Sequence, residues 1–226
     1  MLDKRLSLCA ELVSGDYICD IGTDHGYLPA ELLFSGKCSR ATAADINEKP
    51  LEAAKLTFEK YNVSDKAALV LSDGLKNVDT AGVTDIVIAG MGGELISRIL
   101  ENGADKLSPE MNLILQPMTK APVLRKYLCA NGYEIVCERA ACDGRFRYNV
   151  ISARKNGRIM SCSEAAAEVG FMDFSREDER EYALHRISTL EATGREISKS
   201  DPVKGEYYYK LTEEIREYVR DHGGDV

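Results

Sequence analysis

Two stretches of this 226-residue chain share one pattern: an apolar run leads without a break into a glycine turn and then into a helix-forming segment. The first reads Tyr17-Ile-Cys-Asp20-Ile-Gly22-Thr-Asp24-His25-Gly26-Tyr27-Leu-Pro29, the second Asp85-Ile-Val-Ile-Ala-Gly90-Met91-Gly-Gly-Glu94. Continuous apolar runs suit strands covered on both faces, and such strands belong to parallel sheets joined by crossover helices. Similar short runs place strands near 17–22, 40–45, 67–72, 84–90, 111–116, 133–140 and 146–154. Between the second and third, Leu51, Ala54, Phe58 and Tyr61 recur at helical spacing and mark a face that covers the sheet. The last two runs flank Asp143-Gly144, a hairpin signal, so an antiparallel pair closes one edge. The expected fold class is α/β, a Rossmann-like, mostly parallel seven-stranded sheet.

Beyond Lys155-Asn156-Gly157 the pattern changes to charged helix, which sets a domain boundary near 157–172 and divides the chain into 1–157 and 158–226. Ser175-x-x-Asp178 reads as a helix start, followed by Ala183, Ile187, Leu190 and Ile197 at heptad-like intervals with Gly194 in the remaining slot. Asp201-Pro202 supplies a cap and first-turn proline for a second helix carrying Tyr208, Leu211, Ile215 and Tyr218. Together they form an antiparallel, coiled-coil-like hairpin. A buttress and a substrate-binding arm are both open readings for it.

The formal charge of −8 opposes phosphate binding. Its distribution softens the conflict: from Asn156 onward there are 10 basic and 16 acidic residues, or −6, which leaves −2 for residues 1–155. The seven cysteines, at 9, 19, 38, 129, 137, 142 and 162, include no Cys-x-x-Cys pair, so neither zinc nor disulfides are expected and the thiols read as small core residues. No apolar run reaches the ~20 residues that span a bilayer, and the opening MLDKRLSLCAEL lacks the apolar block of a secretory signal. A cytoplasmic protein without metal or membrane partner is expected. Nothing sets the oligomeric state, and a monomer is the simplest expectation.

In the first glycine turn, Gly22 and Gly26 let backbone pass close to a ligand, and free N–H groups at the helix start offer donors beside His25. The same turn serves NAD enzymes. Asp20 and Asp24, however, lie where a pyrophosphate binder wants no acid, and they suit S-adenosylmethionine (SAM), which carries a sulfonium and an ammonium and no phosphate. Asp45-Ile46 ends the next strand about 20 residues on, placed for ribose hydroxyls. Asp73-Gly74 ends the third strand, where an acid can take an adenine amino group. Gly90 and Met91 end the fourth strand and leave room for a methyl group and an incoming base, and Gln116-Pro117-Met118 ends the fifth at the same rim. Gln116 can hydrogen-bond a base or tie down its own loop.

DIGTDHGYLP, the aspartate after the second strand, SDGL, IVIAGMGGELI and LILQP resemble, in order and spacing, the bacterial tRNA (adenine-22-N1)-methyltransferase family over residues 1–155, and the helical hairpin is similar to that family's C-terminal extension. The resemblance implies a Rossmann-like catalytic domain that moves a methyl group from SAM to N1 of an adenine in tRNA. It also implies that Gly22, Asp24, Asp45, Asp73 and Gly90 line the cofactor. Two departures stand out: Met118 follows Gln116-Pro117 where the family commonly has asparagine, and Tyr148-Asn149-Val150 replaces its usual Tyr-Glu-Ile.

N1 of adenine owns a free lone pair, so the catalytic task is alignment rather than deprotonation. Tyr27 is the candidate surface for the exposed base, with Asp24 or His25 orienting base or cofactor and Gln116 and Pro117 at the rim. Lys4, Arg5, Lys120, Arg125, Lys126, Arg145 and Arg147 are the cations nearest the expected crevice, and Arg145 and Arg147 are the foremost candidates for tRNA contact. On the residues alone three alternatives stay open: a SAM-dependent enzyme for another RNA site or a small molecule, a SAM- or RNA-binding module without turnover, and an NAD oxidoreductase.

Overall fold

The computed structural model describes residues 2–226. One seven-stranded sheet contains β1 (Tyr17–Ile21), β2 (Arg40–Asp45), β3 (Ala67–Leu71), β4 (Asp85–Gly92), β5 (Asn112–Thr119), β6 (Tyr133–Asp143) and β7 (Phe146–Lys155). The order across it is β3-β2-β1-β4-β5-β7-β6. The first five strands pair in parallel, while β7 runs antiparallel to both β5 and β6. The Asp143-Gly144 turn makes the expected hairpin, with Asp143 facing Phe146. Strand order reverses between β1 and β4, and an open parallel sheet binds ligands at the carboxyl ends beside such a reversal.

The helices are α1 (Lys4–Leu12), α2 (Tyr27–Phe34), α3 (Glu48–Tyr61), α4 (Gly93–Asn102), α5 (Ala121–Ala130), α6 (Glu164–Val169), α7 (Glu177–Ile197) and α8 (Pro202–Asp221). One face of the sheet packs with Ile96, Leu100, Leu124 and Leu128 of α4 and α5. The other packs with Leu8, Leu28, Leu32 and Phe58 of α1, α2 and α3. A third apolar cluster joins α6, α7 and α8 to Ala140 of β6. Ala54 and Phe58 face the core as their spacing implies, and at Gly26 a Cβ would lie 2.8 Å from that of Ala54. All seven cysteines are free and five are buried. Among the described residues no helix is long and apolar enough to cross a membrane.

Three features differ from the sequence expectation. β4 and β5 extend past the expected ends through a register shift around Gly90, whose φ of 80° accommodates the bulge. The segment read as a boundary contains α6, capped by Ser163, whose side chain accepts from the Ala166 amide. α7 begins at Glu177 rather than Ser175, because the Ser175 hydroxyl is taken by Asp173, and Glu177, Asp178 and Glu179 complement the helix dipole. The second helix of the hairpin starts as expected, with Asp201 accepting from the Lys204 amide at 3.0 Å. Gly194 lies against Tyr208, where a Cβ would approach to 2.9 Å, so the two helices pack closely.

At the amino end of β4 the fully buried Asp85 joins three segments. Oδ1 accepts from the Ser14 amide and Asn112 Nδ2, both at 3.0 Å, and Oδ2 accepts from the Gly15 amide and Thr84 Oγ1, both at 2.8 Å. Substituting Asp85→Leu strands these donors, and urea unfolding is expected to register a loss of about 3 kcal/mol or more. The crevice at the opposite strand ends would be undisturbed.

Candidate active site

A cavity of about 490 Å³ opens at the reversal point. The β1–α2 junction contributes Asp20, Gly22, Thr23, Asp24, His25 and Tyr27, and β4 contributes Ala89 and Gly90. Asp3, Arg5 and Leu6 wall it from the α1 side, and Met118 and Tyr148 from β5 and β7. The turn is built for glycine: Gly22 has φ 76°, and a Cβ there would lie 2.1 Å from the Met91 methyl. Asp24 holds a left-handed φ of 51°, a strained conformation of the kind retained at functional loops.

Asp20 is almost fully buried at the cavity wall. Burial pushes its carboxyl up to about 6, opposed first by the neighbouring Thr23 hydroxyl and then by the Arg5 guanidinium. The buried Thr23 Oγ1 lies near enough to favour the ionised Asp20 but completes no well-formed hydrogen bond in the protein. The wall therefore presents a costly carboxylate and an unsatisfied hydroxyl to the cavity. Tyr27 is 50% exposed and stacks on His25 with ring centroids 5.3 Å apart, and His25 Nε2 lies 3.7 Å from Asp24 Oδ2.

The remaining acids of the sequence motif do not share this opening. Ile46 and Asp73 line a neighbouring cavity of about 780 Å³ against α4. Asp45 ends β2, the strand between β1 and β3, and one of its oxygens accepts from the Asn47 amide at 2.9 Å. Gly74 packs against Ile99, where a Cβ would approach to 3.1 Å.

Of the two readings left open for Gln116, the hydrogen bonds favour the loop tie. Gln116 is fully buried, its Oε1 accepts from Arg5 Nη1 and the Gly90 amide, both at 3.0 Å, and its Nε2 donates to the Pro117 carbonyl. Pro117 lines an adjoining groove of about 640 Å³, which shares Met118 with the cavity and runs toward α7. Arg147 is corrected. Strand alternation sends it to the α7 side of β7, where it pairs with Glu181, so it is not a free cation at the rim. Most of the other nominated cations are engaged as well. Arg125 is fully buried against Glu138, Lys120 and Lys126 each pair with a glutamate at 2.6 Å, and Lys4 donates to the Cys142 carbonyl. Arg145 lies over the Phe146 ring, 5.0 Å from its centroid.

Thr23, Tyr148 and Asp3 line the cavity without having been singled out by motif, and Arg5 lines it while donating to Gln116. Tyr148 was accessible in principle, since alternation from the Asp143-Gly144 turn puts Phe146 and Tyr148 on one face and Arg147 on the other. Among the described residues, Cys142, Asp178 and Glu181 come close enough to hold a metal. Glu181 is committed to Arg147 there, and burial pushes the Cys142 thiol up to about 12.

Residues 2–151 match the family model for a methyltransferase domain. A Bacillus subtilis tRNA (adenine(22)-N(1))-methyltransferase is 37% identical over 172 residues, which cover 76% of this chain and 72% of that protein. Among solved structures, M. capricolum TrmK in complex with S-adenosyl-homocysteine superposes with a TM-score of 0.82 at 29% identity, covering 98% of this chain and 99% of that one. A Streptococcus pneumoniae protein, provisionally named a tRNA (m1A22) methyltransferase and solved with S-adenosyl-L-methionine, gives 0.77 at 30% identity, covering 99% and 100%. With its reversal-point cavity and these likenesses over its whole length, the chain belongs to the tRNA (adenine(22)-N(1))-methyltransferase family and carries that family's Rossmann-like methyltransferase fold.

Proposed function

We propose that this protein transfers the methyl group of SAM to N1 of adenine 22 in tRNA, in the cytoplasm and as a single chain. The observation that carries the reading is the acid-walled cavity itself, with a buried carboxylate at Asp20 and an unpartnered hydroxyl at Thr23. The carboxylate suits a cationic nucleoside and repels a pyrophosphate, and the hydroxyl can pair with a polar atom of the bound molecule. Asp20, Gly22, Thr23, Asp24, His25, Gly26, Gly90 and Met91 would hold the reactive half of SAM. Asp45, Ile46, Asp73 and Gly74, at the next two strand ends, would hold its nucleoside half. Bound there, SAM supplies an electrophilic methyl group on a positively charged sulfur.

The residues of this chain then have three tasks. Asp20 and Asp24 keep a negative wall beside a positive charge that moves from sulfur to the methylated base and is never lost. Gln116 fixes the Gly90 amide and so the width of the β4 mouth. Tyr27, backed by His25, offers a flat face for an adenine withdrawn from pairing. No general base is required, and orienting the two reactants can contribute up to ~7–11 kcal/mol. The reading assigns catalysis to residues 1–157 and a supporting role to 158–226.

Substituting Tyr27→Ala is expected to lower kcat/KM for tRNA about 10- to 100-fold, the scale of one lost base stack, with SAM affinity unchanged by calorimetry and Tyr27→Phe close to wild type. The overall reading is tested with labelled SAM and unmodified tRNA. Incorporation supports an enzyme, whereas SAM binding without incorporation would favour a module that binds and does not turn over.

A further inference from the structure

The β6–β7 hairpin carries an aromatic ladder that leads out of the cavity. Tyr148 is half-buried in the cavity wall, and Phe146, two residues earlier on the same face of β7, stacks on it with centroids 6.0 Å apart and planes 18° apart. Phe146 is 50% exposed, and the Arg145 guanidinium lies over its ring. Core packing explains none of this. Val150, further along the same face, enters the core with α1, but Phe146 belongs to no apolar cluster. The stack on Tyr148 and the Arg145 guanidinium hold the ring in place, and half of it still faces solvent beside the cavity.

The charge of the molecule sharpens the point. An RNA ligand must approach a sheet domain of net charge −2 whose cations near the site are mostly committed to its own acids and carbonyls. Phosphate attraction is therefore weak, and recognition has to draw on the faces of the bases. Base–aromatic stacking tolerates sequence and needs no net positive field.

We infer that Phe146, extended by Tyr148 and Arg145, is a stacking platform for an unpaired nucleotide next to the base entering the cavity. The inference deepens the tRNA reading above and rests on it. The platform selects a single-stranded or loop segment over a continuous duplex, because only splayed bases expose their faces to a side chain at this height.

The chain contains no tryptophan, so Phe146→Trp places a lone indole reporter on the ladder. Unmodified tRNA is expected to quench its emission, while a fully paired RNA duplex of equal length leaves it unchanged. Phe146→Ala is expected to lower kcat/KM for tRNA by about 5- to 150-fold, with SAM affinity unchanged and Phe146→Trp restoring most of the loss. Wild-type kcat/KM in Phe146→Ala, or turnover by Phe146→Trp without quenching, would overturn the platform. Quenching without methyl transfer would uphold the platform and remove the enzymatic reading, so the two ideas fail separately.

Discussion

Substituting Asp20→Asn is expected to weaken SAM binding at least about 30-fold while raising the thermal midpoint of the unliganded protein. The first effect follows from removing the charged partner of a desolvated cation, a loss of roughly 2 kcal/mol or more. The second follows from the cost of keeping that carboxylate buried. Its folded-state pKa of about 6 lies above the ordinary 3.8, so between these values the native protein holds the extra proton. Stability contributed by the protonated form is present below about 4 and is lost as pH rises through about 6. Near pH 7 a neutral amide escapes the penalty. SAM affinity has the opposite dependence: only the ionised carboxylate attracts the cation, so affinity falls by up to about tenfold per unit below pH 6. Calorimetry between pH 5 and 7.5 checks this, and the slope is expected to persist in Asp24→Asn and His25→Gln. A pH-independent affinity, or Asp20→Asn binding SAM as wild type does, would remove Asp20 from the cofactor site.

Substituting Arg125→Met is expected to destabilise the whole chain by about 3–5 kcal/mol, the cost of leaving one member of a buried ion pair alone. Arg125 and Glu138 are both fully shielded from solvent. The guanidinium meets Glu138 Oε1 at 2.6 Å through Nη2 and the Ala167 carbonyl at 2.6 Å through Nη1, and it reaches Tyr182 Oη at 3.3 Å. Glu138 in turn accepts from Asn149 Nδ2 at 2.8 Å and the Phe171 amide at 3.0 Å. The pair thus ties α5 and β6 to α6 and α7, and the helical C-terminus is anchored to the sheet rather than tethered beside it. The network also uses the neutral amide of Asn149: a glutamate here would set a second carboxylate against Glu138 with one arginine to balance both. The double variant Arg125→Met/Glu138→Met is expected to recover much of the loss, because paired apolar replacement leaves no buried charge. Urea unfolding followed by circular dichroism distinguishes the two. If the double variant is no better than the single, the charge pair is not what anchors α6 and α7.

The strands, the hairpin and the helical pair were legible in the sequence because each depends on local spacing: apolar runs, Asp143-Gly144, the heptad positions from Ala183 to Leu190. The site was legible only where a motif is contiguous. Asp20, Gly22, Asp24, His25 and Tyr27 meet in one cavity because a single turn carries them. Gln116 stayed open between base and loop, and Arg147 read as an available cation, because their partners are remote: Arg5 lies 111 residues from Gln116, and Glu181 lies 34 from Arg147. A charge or amide at a strand tip reads as available until the fold supplies its partner. Arg125 shows the same failure in its strongest form, since a guanidinium nominated for the crevice is fully buried where α5 and β6 meet α6 and α7. α1 escaped notice because its nine residues bury only Leu8 and Cys9, too little to leave a periodic stripe.

The proposed activity delivers a methyl group to one ring nitrogen of one nucleotide. Nuclease digestion and mass spectrometry of unmodified tRNA after incubation with the protein and SAM read that out directly. N1-methyladenosine at position 22, and its loss when that adenine is replaced by guanine, is the expected result. A methyl group at another position, or unmodified tRNA from a preparation that binds SAM, would contradict it.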